Sequence, residues 1–197
     1  MSFAPVQVTA MKAENLPVLG FWKDGDSLVP TLAAADAWSA PLIESLRSSG
    51  LFPSQKGELL TVPPCSEWPV GLVLLHLGNR SERTPEGIGA LVRTTVAKLR
   101  KMPSLLFGAF DWFGDNRDEG ARLFAQNVVC ALAPKVNYKK DFEMPQCPEV
   151  LWLSDTDESK ALAEGAAIGA AIVEMCRLAD TPANLCTPAF LCDAARE

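Results

Sequence analysis

Histidine is the scarcest chemistry-bearing residue in this chain: His76 is the only one among 197 residues. Neither a catalytic triad nor a histidine-rich metal site can be assembled from it unless other residue types supply the rest. The six cysteines (Cys65, Cys130, Cys147, Cys176, Cys186 and Cys192) contain no C-x-x-C pair. Their even number admits a disulfide framework, and Cys186 and Cys192, six apart around a helix start, admit a zinc site. Reduced structural thiols are the expected state, because Cys130 and Cys176 fall within apolar helical patterns and behave there as small hydrophobes. No apolar run is clean enough to cross a bilayer, since Ala161–Ala179 is interrupted by Glu164, Glu174 and Arg177. Met1–Asn15 lacks the continuous apolar core and cleavage pattern of a secretory leader. A cytoplasmic protein with no membrane partner is therefore expected. Basic charge is also short: 18 Lys and Arg stand against 24 Asp and Glu, a net charge of −6. The basic residues gather only at Arg93–Lys101 and at Lys135, Lys139 and Lys140. Such a surface repels a phosphate backbone, and no nucleic-acid partner is expected. Internal repeats and low-complexity tracts are absent.

What is present is a core. Apolar residues make up 48% of the chain, enough to bury a sizeable interior. Short apolar runs predict strands at Pro5–Met11, Leu16–Trp22, Leu59–Val62, Gly71–Leu77, Ser104–Phe110 and Val150–Leu153. Gly71–Leu77 is apolar at nearly every position, the mark of a central strand covered on both faces. Helical spacing predicts helices between these runs. Ser39–Ser48 places Pro41 in a first turn and stops at Gly50. A second helix opens on Thr84-Pro85-Glu86 and is closed by Pro103. A third covers Asp115–Ala133, a long one Asp157–Ala179, and a last one starts at Thr187-Pro188. Lys135–Pro148 reads as a surface loop. This alternation predicts an α/β fold with three α/β/α layers and a mixed, mostly parallel sheet, with Pro5–Trp22 as a hairpin. A compact domain over 1–155, a linking helix over 156–180 and the start of a further domain over 181–197 are expected.

Several motifs suggest chemistry, and each has a structural reading beside it. Gly87-Ile88-Gly89 opens a helix after a strand, but Val92 stands where a dinucleotide fingerprint needs its last glycine, so close helix packing is expected instead. The loop Gly78-Asn79-Arg80-Ser81 to Thr84 follows the central strand, where open α/β sheets hold ligands, and the helix start could receive an anion. No lysine completes a Walker pattern, and an ordinary turn with a helix cap is the plainer reading. Asp111-Trp112-Phe113-Gly114-Asp115-Asn116 brings two acids onto a loop. A helix cap at Asp115 with aromatic packing is expected there rather than acid–base chemistry, because no nucleophile or oxyanion site accompanies it. His76 reads as a satisfied core or edge histidine. Gly165 and Gly169 form a small-x-x-x-small face for close backbone approach, to the domain's own sheet or to a neighbouring domain.

The most specific signal lies late in the chain. Leu178-Ala179-Asp180-Thr181-Pro182-Ala183-Asn184-Leu185-Cys186-Thr187-Pro188, after an Ala/Gly-rich helix, resembles the junction segment of the M17 leucyl aminopeptidases, a motif of the type N-x-P-x-N-x-x-T-P. Pro182, Asn184, Thr187 and Pro188 match, while Asp180 stands where the family commonly has asparagine. Lys56-Gly57-Glu58-Leu59-Leu60 matches more loosely. The resemblance implies an amino-terminal domain related to macro domains, followed in the family by a catalytic domain, in a homo-hexamer. It also implies two divalent metal ions (Zn, Mn or Mg) held in that catalytic domain by a lysine, aspartates and a glutamate, with an N-T-D-A-E-G-R-type motif. That motif does not occur here, so the resemblance assigns no catalytic, cofactor-binding or metal residue to this chain. The implied role is an assembly or regulatory domain, partnered by the catalytic domain of the same protein and inactive as a peptidase alone. The alternatives are a macro-like nucleotide or ADP-ribose binding module using the Gly78–Thr84 loop, and a non-catalytic scaffold subunit.

Overall fold

Strands form where side chains of alternating direction both find apolar cover. The computed structural model describes residues 5–6, 15–25, 27–31, 33–64, 71–108, 111–133, 147–154 and 156–196, with the side chains of 5–6 and 33–40 outside the description. The elements run β1 (Pro5–Val6), β2 (Leu16–Asp24), β3 (Ser27–Pro30), α1 (Ala33–Ser48), β4 (Leu59–Val62), β5 (Leu72–Asn79), α2 (Pro85–Lys98), β6 (Ser104–Phe107), α3 (Arg117–Leu132), β7 (Glu149–Leu153), α4 (Ser159–Ala179) and α5 (Pro188–Ala194). A short 3-10 turn, Arg80–Glu82, joins β5 to α2. One seven-stranded sheet has the order β1-β7-β6-β2-β5-β4, with β3 on β2. The β1–β7, β7–β6, β6–β2 and β2–β5 pairings are parallel, and β2–β3 and β4–β5 are antiparallel. The mixed, mostly parallel α/β sheet is as predicted.

Each central strand feeds two cores. Val18 and Trp22 of β2, Val73, Leu75 and Leu77 of β5, Leu105 and Phe107 of β6, and Val150 and Trp152 of β7 pack under α2, α3 and α4. Leu19 and Phe21, Leu72 and Leu74, Leu106, Leu151 and Leu153 face the other way, onto Leu42, Ile43 and Leu46 of α1. The larger core is aromatic: Phe107 and Phe124 lie 5.1 Å apart and Phe124 and Trp152 4.9 Å apart, in tilted pairs that suit ring quadrupoles.

Three expectations are corrected. Pro5–Trp22 is not a hairpin. Pro5 and Val6 instead align in parallel with Trp152 and Leu153, and β2 makes its hairpin with β3, where Gly25 takes φ +58° and reverses the chain tightly. Residues 7–11, the rest of the predicted first strand, lie outside the described residues, as do 135–146 of the predicted loop. Pro41 is not in a first turn. The helix begins at Ala33 and carries Pro41 in its interior, because the Ala-rich stretch before it has strong helix propensity and extends the helix upstream. Asp115 does not cap α3. Asn116 does, its Oδ1 accepting from the Glu119 N–H at 3.2 Å. The α2 and α5 starts are as read: Thr84 Oγ1 accepts from Gly87 N, and Thr187 Oγ1 from Phe190 N, both at 3.2 Å.

Candidate functional site

The carboxyl ends of β2, β5 and β6 are where this topology would hold a ligand. Here the chain fills that place itself. β6 pairs with β2 only from Leu16 to Val18, and β3 takes over the same edge of β2 from Phe21 to Asp24. At the handover, Thr31 N donates to Gly20 O at 3.0 Å and Thr31 Oγ1 donates to Gly108 O at 3.0 Å. The Trp112 indole N–H then donates to Thr31 Oγ1 at 2.9 Å. Trp112 is fully buried and stands edge-on to Phe107, 5.9 Å away. Gly20 makes the room: a Cβ there would come within 2.8 Å of the indole and 2.7 Å of Leu77 Cδ1.

The two acids of the Asp111–Asn116 loop meet different surroundings. Arg83 Nη1 donates to the Asp111 backbone carbonyl at 2.9 Å, and Arg83 Nη2 lies 3.6 Å from the exposed Asp115 carboxylate. Asp111 Oδ1 is buried without a hydrogen-bond partner among the described residues. Burial pushes its carboxyl above the usual range, with Arg80 and Arg83 opposing. The structure thus brings the Gly78–Thr84 loop and the Asp111 loop together through Arg83, but it does not pair the acids for proton transfer. The loop also satisfies itself. Asn79 Nδ2 donates to Glu82 Oε1 at 2.9 Å, and Thr84 takes the N–H of Gly87. Gly78 has φ +98° at the point where Phe21 pairs with His76 but Trp22 pairs with Gly78, and the Lys56 stem packs against it.

The remaining flagged residues resolve into packing. Gly89 lies against the Asn127 side chain of α3, 2.8 Å from where its Cβ would be, so it eases helix–helix rather than helix–sheet approach, while Gly87 lies against its own cap, Thr84 Oγ1, and the Lys56 ammonium end. A Cβ on Gly165 would fall 2.0 Å from the Arg122 carbonyl oxygen, and one on Gly169 2.8 Å from that of Gln126. The small-residue face therefore docks on the domain's own α3. Across that seam Arg122 Nε and Nη2 donate to Glu164 Oε2 at 3.1 and 3.0 Å, and Nη1 also pairs with Glu119. Cys130 is half-buried, its thiol pushed up by burial and directed at the Gly169 carbonyl at 3.9 Å. Cys176, expected inside an apolar pattern, is exposed, on the stretch of α4 that buries no residue. No cluster of three or more His, Cys, Asp or Glu suited to a metal occurs among the described residues. No helix among them is long and apolar enough to cross a membrane. His76 is not the satisfied histidine expected: it is 5% exposed and its Nδ1 is buried without a partner among the described residues. Only three-dimensional packing shows this, since a neighbour's missing hydrogen bond leaves no trace in a strand pattern.

No protein-family profile matches the chain. It is 31% identical over 170 residues to a probable cytosol aminopeptidase of Synechococcus sp., covering 84% of this chain and 34% of that one. It is 27% identical over 211 aligned positions to a probable cytosol aminopeptidase of Ralstonia nicotianae, covering 98% and 41%. The chain is a relative of the cytosol aminopeptidases. It spans about a third to two fifths of the length of these curated relatives. The fold agrees: a tomato leucine aminopeptidase variant superposes with a TM-score of 0.71 at 16% identity, over 99% of this chain and 41% of that one. The bottromycin maturation enzyme BotP superposes at 0.67 and 22%, over 92% and 36%. Among aminopeptidase relatives, the surface left exposed after the docked half of α4 gains weight. Met175 is 70% exposed, and Ile168, Leu185 and Leu191 also face solvent. Arg177 of α4 stacks over the Phe190 ring of α5 at 5.9 Å, and Thr181 Oγ1 closes the end of α4 by donating to the Arg177 carbonyl at 2.8 Å.

Proposed function

We propose that this chain is the amino-terminal, non-catalytic assembly domain of a leucyl aminopeptidase-like metallo-exopeptidase, carrying the helix that leads toward a catalytic domain. Residues 1–155 form the macro-like domain, 156–180 the connecting helix and 181–197 the entry to the catalytic part. The observation that carries this reading is the set of apolar side chains left in solvent from α4 to α5: Ile168 on the outer side of the docked half of α4, Met175 on its far half, Leu185 in the segment between the helices and Leu191 on α5. Contiguous exposed apolar surface marks a binding face. The complete protein would release amino-terminal residues from peptides in the cytoplasm, as a homo-hexamer, without nucleic-acid or membrane partners. Two divalent metal ions would supply the activated water and polarise the scissile carbonyl there. The described residues of this chain offer no ligand set that fits such a pair, and no step of hydrolysis is assigned to them. The chain's own part is to present the α4–α5 face and so set the position of the catalytic domain. The binding-module alternative has the buried Trp112 and the self-bonded Gly78–Thr84 loop against it.

The test is reconstitution. Mixed with the complementary part of the Ralstonia nicotianae relative, this chain is expected to co-elute with it, and a variant with both Met175→Ser and Leu191→Ser to do so less. The chain alone, supplied with Mn or Zn, is expected not to hydrolyse a leucyl amide. Independent elution at every concentration, or hydrolysis by the chain alone, would overturn the reading.

A further inference from the structure

On the face of the sheet that α1 covers, a cleft of about 330 Å³ opens between the end of β2, the start of β3 and the turn after α1. Lys23, Ser27, Arg47, Phe52, Ser54 and His76 line it, and among the described residues that line it none is acidic. In a chain with 24 acids against 18 bases that is a local reversal of charge. Positive Gly50 (φ +71°) turns the chain out of α1 so that Phe52 and Ser54 reach the cleft. His76 is held by pairing on both strand edges: it aligns with Phe21 of β2, its N–H donates to Glu58 O at 3.1 Å, and its carbonyl accepts from Gly57 N at 2.8 Å. Its ring is nine-tenths buried and leaves Nδ1 without a partner among the described residues. The acid that faces it, Glu58, is held at the Ser54 side of the cleft, with Oε2 accepting from Ser54 N at 2.7 Å, Gln55 N at 3.1 Å and Ser54 Oγ at 3.5 Å.

We propose that this cleft binds a small oxyanion of the phosphate or phosphomonoester class, with Lys23 as its principal charge partner, the Ser27 hydroxyl as a donor and His76 at its floor. A multi-oxygen dianion can use several converging donors at once, which a monocarboxylate cannot. The site is also proton-linked. Burial, then the Lys23 ammonium, hold the imidazole below its ordinary value, with Glu58 opposing. Arg47, from α1, adds positive charge to the same lining. An anion seated against Lys23 offsets that ammonium's part of the depression and raises the proton affinity of His76. Because the bound form then takes up a proton that the free form lacks, affinity for the dianion itself tightens as pH falls through the imidazole range, while the ligand's own second protonation, in the same range, lowers the amount of dianion.

A single histidine makes the test direct. The untagged chain has one imidazole to follow by NMR, and inorganic phosphate is titrated against it at constant ionic strength, with acetate as comparator. The expected result is a saturable shift with phosphate, a higher apparent His76 pKa in its presence, and clearly weaker binding of acetate. Lys23→Ala is expected to weaken phosphate about tenfold, while Lys98→Ala, an exposed cation on α2, leaves it unchanged. A shift that never saturates, equal losses in both variants, or acetate binding as well as phosphate would each overturn the assignment.

Discussion

From Ser159 to Gly169, α4 buries Ala161, Leu162, Gly165 and Gly169; from Ala170 to Ala179 it buries no residue. The two halves have the same Ala-rich, apolar composition, so composition does not decide docking. Backbone approach does. Gly165 lies on Arg122 and Gly169 on Gln126, so the two helices advance together at one residue per residue. On that register α4 outlasts α3, which ends at Leu132, by about one turn. The near half is therefore part of the domain's core, while the far half runs beside the end of α3 with Ile172 and Val173 only partly covered, and its last turn, from Cys176, extends beyond α3.

The sharpest way to break this contrast is Gly165→Val. Any Cβ at this position meets a backbone carbonyl at 2.0 Å, which no rotamer change relieves, so α3 and α4 must part. The expected loss is about 3 kcal/mol or more, beyond the gain in helix propensity, read as a shifted urea midpoint. Leu162→Ala, at a fully buried site, is expected to cost about 2–5 kcal/mol through lost burial and a residual cavity. Either variant should loosen the near half until it exchanges amide hydrogens as fast as the far half. If both halves are equally protected in the unaltered chain, the contrast itself is wrong.

How much of this was legible from residues alone depends on how local each cause is. The apolar run at Leu72–Leu77 and the Thr84-Pro85 cap carry their own explanation, and both appear where the pattern puts them. Strand β3 did not, because Ser27–Pro30 is only half-buried and owes its pairing to the edge of β2 that β6 vacates. Trp112 read as loop packing, yet its role as the plug of the sheet's carboxyl end needs Thr31, Gly20 and Gly108, which lie far from it in sequence. The glycine face of α4 was visible as a face, but not which surface would meet it. Similarly, His76 was visible in its strand, while the cationic cleft above it joins β2, β3 and the turn after α1.

A milder probe of the same seam is Glu164→Gln. The Arg122–Glu164 contact spans α3 and α4 but is partly exposed, so water screens it and ordering two long side chains offsets its attraction. The expected change in stability is much smaller than for Leu162→Ala, and it should fade in concentrated salt. A loss comparable with Leu162→Ala would mean that charge, rather than close backbone approach, holds the near half.

On the far half, Met175→Ser is expected to change the unfolding free energy by about 0.5 kcal/mol or less, because a side chain 70% exposed leaves little behind when shortened. Its effect should appear in association instead. Met175, Leu185 and Leu191 place apolar surface in water, and such surface is covered by whatever apolar partner is at hand. In the isolated chain that partner is a second copy, so sedimentation should show concentration-dependent self-association that Met175→Ser weakens and that the complementary aminopeptidase segment suppresses. Self-association untouched by the substitution would place the sticky surface elsewhere, and the far half of α4 would then be a solvated helix end with no assembly role.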